Sequence, residues 1–168
     1  MPNSSKIRNG GCTCGHVRYQ MTSDPLIVHC CHCHGCQQNS GSAFALNAMI
    51  EADRVTLVTG EVEEITVPTP GGTGQDIARC ALCKVAVWSN YNLGGALRKY
   101  IHFIRVGTLD ILDQMPPEVH IYTCSKQPWV CLPKDAPKFD EIYDFDLTWS
   151  KQALERRGKL KEALRFSA

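Results

Sequence analysis

The chain has 168 residues, a formal net charge of +1, 43% hydrophobic residues and ten cysteines. That length fits one domain able to bury a core without disulfide staples, and a near-zero charge excludes a strong attraction to nucleic acid or to an anionic membrane. No apolar run approaches membrane-spanning length and Met1 to Gly10 lacks the apolar centre of a leader, so a cytoplasmic location in a reducing compartment is expected.

Residues 2–9 are polar and predict a loose end. Gly10-Gly11-Cys12-Thr13-Cys14-Gly15 then leads into Val17, Tyr19 and Met21, whose alternation predicts a strand with one buried face. Asp24-Pro25 marks a turn, and Leu26-Ile27-Val28 runs into the stretch from Cys30 to Phe44, which holds four cysteines in its first seven residues. On an extended segment alternate side chains share a face, so Cys31 and Cys33 point one way and Cys30 the other. Gly35 lets the chain turn and bring Cys36 back to the same side. Three thiolates on one zinc leave a fourth position for water or substrate, the geometry of a catalytic site. Cys30 is a further thiol that closes the site if the backbone twists. His32 and His34 fall on the opposite face and are expected at the surface or behind the ligands. Ser40-Gly41-Ser42 predicts a bend.

Val55 to Gly60 and Val62 to Val67 predict two short strands, and Pro68 to Gly74 a loop that lacks the Lys-Ser/Thr ending of a phosphate cradle. Cys80-Ala81-Leu82-Cys83 is followed by the strand pattern Lys84 to Trp88, whereas a redox CxxC opens a helix. Together with the CxC at Cys12 and Cys14 it supplies four thiolates from two places, the requirement of a closed structural zinc site. Tyr100 to Thr108 and Glu118 to Tyr122 predict strands separated by Pro116-Pro117. Trp129 is expected in the core, and Cys124 and Cys131, on no metal spacing, as ordinary buried thiols. Ser150 to Ala168 is rich in Lys, Arg, Leu and Ala and predicts one or two short helices with a solvated basic face. The chain has no GxSxG elbow and no carboxylate pair suited to glycosidase chemistry.

The ordered set Cys12 to Tyr19, Cys31 to Phe44, Cys80 to Cys83, Gly107 to Asp110, His120 to Tyr122 and Ser125 to Trp129 resembles the glutathione-dependent formaldehyde-activating enzyme family, the Gfa or CENP-V type. The resemblance covers about residues 8–145. It implies a mainly β, Mss4-like β-tent fold built around zinc sites, taken as a domain of residues 1–148; residues 149–168, by their composition, are expected as a basic helical extension. It implies two Zn2+ per chain: a structural ion on Cys12, Cys14, Cys80 and Cys83 and a catalytic ion on Cys31, Cys33 and Cys36. The implied activity is that of a carbon-sulfur lyase joining glutathione and formaldehyde to S-hydroxymethylglutathione, or reversing that step.

The chain departs from the family pattern at Lys84, where glycine often follows the CxxC, at Cys30, and at Gln37-Gln38, where basic residues are common. Zinc would lower the pKa of a bound thiol beside an electrophilic carbon, with His34 and His120 as candidates for proton transfer. The expected partner is a small thiol such as glutathione, with neither membrane nor nucleic acid. Two alternatives stand beside the lyase: a zinc-stabilised β binding module without catalysis, and a zinc enzyme acting on another thiol or carbonyl substrate. The sequence does not set the oligomeric state.

Overall fold

The computed structural model describes residues 7–69, 72–91, 96–111 and 115–165. The expected loose residues 2–6, part of the Pro68 to Gly74 loop and the last three residues of the basic tail lie outside them. The described chain is mainly β: β1 (Arg8–Gly11), β2 (Arg18–Met21), β3 (Ile27–Cys31), β4 (Ala45–Glu51), β5 (Val55–Thr59), β6 (Val62–Val67), β7 (Gln75–Cys80), β8 (Ala86–Tyr91), β9 (Ile101–Arg105) and β10 (Val119–Ile121). Three α-helices are α1 (His34–Ser40), α2 (Phe145–Thr148) and α3 (Lys151–Arg165). No described helix is long and apolar enough to cross a membrane.

The chain divides into two compact units, one of residues 1–25 and 48–116, the other of residues 26–47 and 117–168. In the first, β1, β2 and β5 form an antiparallel sheet in the order β1-β2-β5, with Gly10 opposite Tyr19 and Tyr19 opposite Leu57. The alternation read at Val17, Tyr19 and Met21 is present, with all three buried. A second antiparallel run pairs β6 with β7, β7 with β8 and β8 with β9. Its core is made by Ile77, Val87, Trp88 and Ile104, and Trp88 meets Tyr19 edge to face at 5.7 Å between centroids. The second half of the expected Tyr100 to Thr108 strand instead turns into a 3-10 segment over Val106–Thr108.

In the second unit β3 and β10 pair in parallel, with His29 opposite Val119, Cys30 opposite His120 and Cys31 opposite Ile121. All five residues of β3 are buried, which suits a strand covered on both faces. A buried polar chain lies beside it: the Trp149 indole N–H donates to the Tyr143 hydroxyl oxygen at 2.7 Å, and that hydroxyl meets His29 Nε2 at 2.5 Å. The basic tail forms one helix, α3, despite Gly158. Ala153 is buried, and the Arg157 guanidinium lies 4.6 Å from the Phe145 ring centroid, so one side of the tail packs on its own unit while Lys151, Glu155 and Lys159 are exposed.

Candidate metal centres

Cys12, Cys14, Cys80 and Cys83 bring their sulfur atoms within 4.8 Å of one another in the first unit. The CxC leaves β1 in a turn closed by Gly15, which takes φ 78°, and the CxxC forms a turn between β7 and β8. The Cys12 and Cys14 sulfurs are 3.4 Å apart and those of Cys14 and Cys80 3.8 Å apart. A tetrahedron of ~2.3 Å zinc–sulfur bonds separates its sulfurs by about 3.8 Å, so the donor set and its spacing fit zinc. Backbone amides point at the group: Val17 N–H donates to Cys12 Sγ at 3.2 Å, and Cys83 N–H to Cys80 Sγ at 3.5 Å. The Val85 amide, ahead of smaller contributions, draws the Cys83 thiol down to about 6. Lys84 occupies the left-handed region at φ 62°, which glycine takes without steric cost, and its ammonium pairs with the Glu63 carboxylate at 2.6 Å.

Cys31, Cys33 and Cys36 likewise converge within 4.8 Å, in the second unit. The expected device there was an extended segment turned by Gly35. The chain instead enters α1 directly: Cys33 caps the helix, its sulfur accepting the Cys36 N–H at 3.3 Å, and Gly41 ends it at φ 65°. Cys31 at the end of β3, Cys33 at the cap and Cys36 in the first turn thus reach one point. Hydrogen bonds from the Cys31 and Cys36 thiols, and then from the Cys36 and Gly35 amides, hold the Cys33 thiol down to about 2, while Cys31, which lends its proton, is raised. A set of three sulfurs fits zinc, and no fourth His, Cys, Asp or Glu joins the group among the described residues.

Cys30 does not close that set. It lies on the other face of β3 and groups with His32 and His120, all three buried. His32, expected at the surface or behind the ligands, is fully buried because it continues the Cys30 face of β3 and packs against the Phe44 ring at 5.5 Å and the His120 ring at 5.4 Å. Burial lowers the pKa of both imidazoles, with the neighbouring cations adding to it. His34, in the first turn of α1, is exposed.

Gln37, read from the sequence only as a missing positive charge, braces the three-thiol group. Its side-chain amide donates to the His32 carbonyl at 2.7 Å and the Ser125 carbonyl at 3.0 Å, and its oxygen accepts from Gln127 Nε2 at 2.7 Å. Ser125 Oγ donates to the same His32 carbonyl at 3.1 Å. The Ser125 to Trp129 motif therefore contributes its polar groups, and Trp129, expected in the core, is 72% exposed. Cys124 and Cys131, expected to be buried, are exposed as well. The segment from Thr123 to Pro133 is short turns without a strand to carry alternate residues inward.

A mainly β chain with separate four-thiol and three-thiol groups, each able to hold a metal ion, defines the class of protein that the fold and site describe. Residues 7–125 match the family described as glutathione-dependent formaldehyde-activating enzyme, and the chain belongs to that family. No curated protein matches the chain. Among solved structures it is similar to a crystal structure of a Rhodobacter sphaeroides protein, at 16% identity over 61% of this chain and 87% of that one, with a TM-score of 0.43.

Proposed function

We propose that the chain is a zinc-dependent carbon-sulfur lyase acting on adducts of a small thiol, with glutathione and formaldehyde as the pair that the family's description suggests. The observation that carries this is the three-sulfur group of Cys31, Cys33 and Cys36, which has no fourth protein ligand among the described residues. Those three residues would hold the ion, and Cys12, Cys14, Cys80 and Cys83 would hold a second, structural one. Zinc held there would supply a lower pKa for the substrate thiol and positive charge to offset a developing oxyanion.

The chain's own groups supply position and protons. The first-turn amides of α1 and the Gln37 bracket hold Cys33 and Cys36 in place, so the site is assembled before substrate arrives. In the addition, the thiol first gives up its proton to solvent, its sulfur then forms a bond to the carbonyl carbon, the carbonyl π pair moves to oxygen, and that oxygen takes a proton back. His34, exposed at the start of α1, is the residue assigned to move this proton to and from solvent. His120 is buried against His32 and is not given that task.

Exchange NMR on the zinc-loaded chain tests this by following interconversion of glutathione plus formaldehyde with S-hydroxymethylglutathione. The wild-type chain should accelerate exchange above the spontaneous rate, and Cys33→Ala, with its four-thiolate zinc retained, should lose about 100-fold or more of the acceleration. Equal acceleration by both proteins would rule out the three-sulfur group as the site.

A further inference from the structure

The third group of side chains, Cys30, His32 and His120, is used neither by the structural set nor by the proposed catalytic set. We propose that it is a third metal site, holding one divalent cation of the zinc class through one thiolate and two imidazoles.

The placement follows from the strand pairing. Cys30 and His32 are two residues apart and so share a face of the extended chain. The parallel register puts His120 directly opposite Cys30. Beyond the end of β3 the ladder continues, with His32 N–H donating to the Ile121 carbonyl at 3.0 Å. On its other side the His120 backbone is also held: its N–H donates to the Pro137 carbonyl at 2.8 Å, and its carbonyl accepts from Phe139 N–H at 2.9 Å. Three donors thus stand on a backbone fixed along both edges, a better support than a loop for a metal.

The spacing fits the ion. Cys30 Sγ is 3.5 Å from His32 Nε2, and His32 Nε2 is 3.1 Å from His120 Nδ1. A tetrahedral ion with bonds of ~2.3 Å to sulfur and ~2.05 Å to nitrogen separates sulfur from nitrogen by about 3.6 Å and the nitrogens by about 3.4 Å. Binding forms three coordinate bonds and releases the Cys30 thiol proton to solvent. Solvent or a small anion takes the fourth position and offsets the remaining charge.

Both remote ring nitrogens, His32 Nδ1 and His120 Nε2, are buried without a hydrogen-bond partner among the described residues. A bound ion puts the ring proton on each of them, with no acceptor there to orient the ring. Missing support of that kind lowers metal affinity roughly 10- to 100-fold, so this ion should leave before that of the four-thiolate set when a chelator is added.

The test loads the full chain anaerobically with Co2+, removes excess by dialysis, and measures cobalt per chain and the sulfur-to-cobalt absorption for wild type, Cys30→Val and His120→Gln. Each variant should hold one ion fewer than wild type. Cys30→Val should also lose about one eighth of the charge-transfer intensity, because it removes one of the eight thiolates in the three groups. Cys33→Ala should keep the ion that Cys30→Val loses, which separates this site from the proposed catalytic one. Should Cys30→Val fail to fold, His120→Gln decides by the same count. A cobalt count equal to wild type in the folded variants would overturn the proposal and leave the 3.1 Å contact as an imidazole–imidazole hydrogen bond.

Discussion

Arg18 and Asp110, far apart in sequence, meet as a two-pronged ion pair in which both guanidinium NH groups donate to the two carboxylate oxygens. Beside them the Tyr19 hydroxyl donates to Thr108 Oγ1 at 2.7 Å, and Thr108 Oγ1 donates in turn to the Arg105 carbonyl at 2.7 Å. Two motifs of the family pattern, at Val17 to Tyr19 and at Gly107 to Asp110, are thereby joined side by side. Gly10 makes room for the joint: a Cβ there would stand 2.5 Å from the Tyr19 ring and hydroxyl and 2.7 Å from the Thr108 carbonyl.

Three substitutions at this joint should therefore rank by burial. Gly10→Ala crowds backbone and a buried ring and should cost about 1–3 kcal/mol. Tyr19→Phe should cost about 1 kcal/mol for the lost hydrogen bond. Asp110→Asn breaks a pair whose side chains are 37% and 44% exposed and should cost under about 1 kcal/mol, less in high salt. Urea midpoints of the three variants check the order, and a Gly10→Ala protein as stable as wild type would contradict the packing described.

The β elements are legible because their cues are local: the period-two pattern at Val17 to Met21, and the β-branched runs at β5, β6 and β9. The pairing of Cys31 with Cys33 is legible for a similar reason, since two-residue spacing on an extended chain puts both on one face. That logic also separates Cys30 from Cys31, but it cannot place His120 opposite Cys30, because a parallel pairing 90 residues apart leaves no local mark. The helix α1 was hidden because its cap is a cysteine sulfur and its seven residues bury no side chain, so there is no apolar period to read. Trp129, Cys124 and Cys131 are exposed against the expectation from residue type: hydrophobicity says what a side chain would gain from burial, not whether a turn-rich segment carries it inside.

Stability should fall as the solution is acidified below neutrality. Burial holds the His102 imidazole down at about 4, against 6.5 for the free side chain. Because the folded value lies below the unfolded one, the unfolded chain takes up the proton first. The contribution is whole above about pH 6.5 and is lost towards pH 4, at most about 3 kcal/mol for this ring. Denaturation of wild type and His102→Gln at pH 7.5 and pH 5 should show a smaller acid-induced drop in the variant. Equal drops would mean that His102 titrates normally.

The two cysteine-only groups should behave differently when broken. Cys83→Ser should reduce zinc by one ion and lower the melting temperature steeply, since a structural zinc contributes folding free energy outright. Cys33→Ala should also lose one ion, with a much smaller loss of stability. Zinc content and thermal scans of both proteins report this, and the reverse order of melting temperatures would contradict the roles assigned.

Gln37→Leu is predicted to weaken zinc retention by Cys31, Cys33 and Cys36 about 10-fold although it touches no sulfur, because it unties the His32 carbonyl and Ser125 from the start of α1. Competition with a chromogenic chelator measures it. Retention equal to wild type would show that the bracket has no effect on the site.

The central claim, that the three-sulfur group accepts a substrate thiol, is tested most directly by titrating the cobalt-loaded chain with glutathione while recording its visible spectrum. Addition of a fourth thiolate to one ion should change the tetrahedral bands and raise the sulfur-to-cobalt absorption in the wild-type protein, and should do neither in Cys33→Ala. A wild-type spectrum indifferent to glutathione and to simpler thiols, with cobalt confirmed on Cys31, Cys33 and Cys36, would contradict the claim.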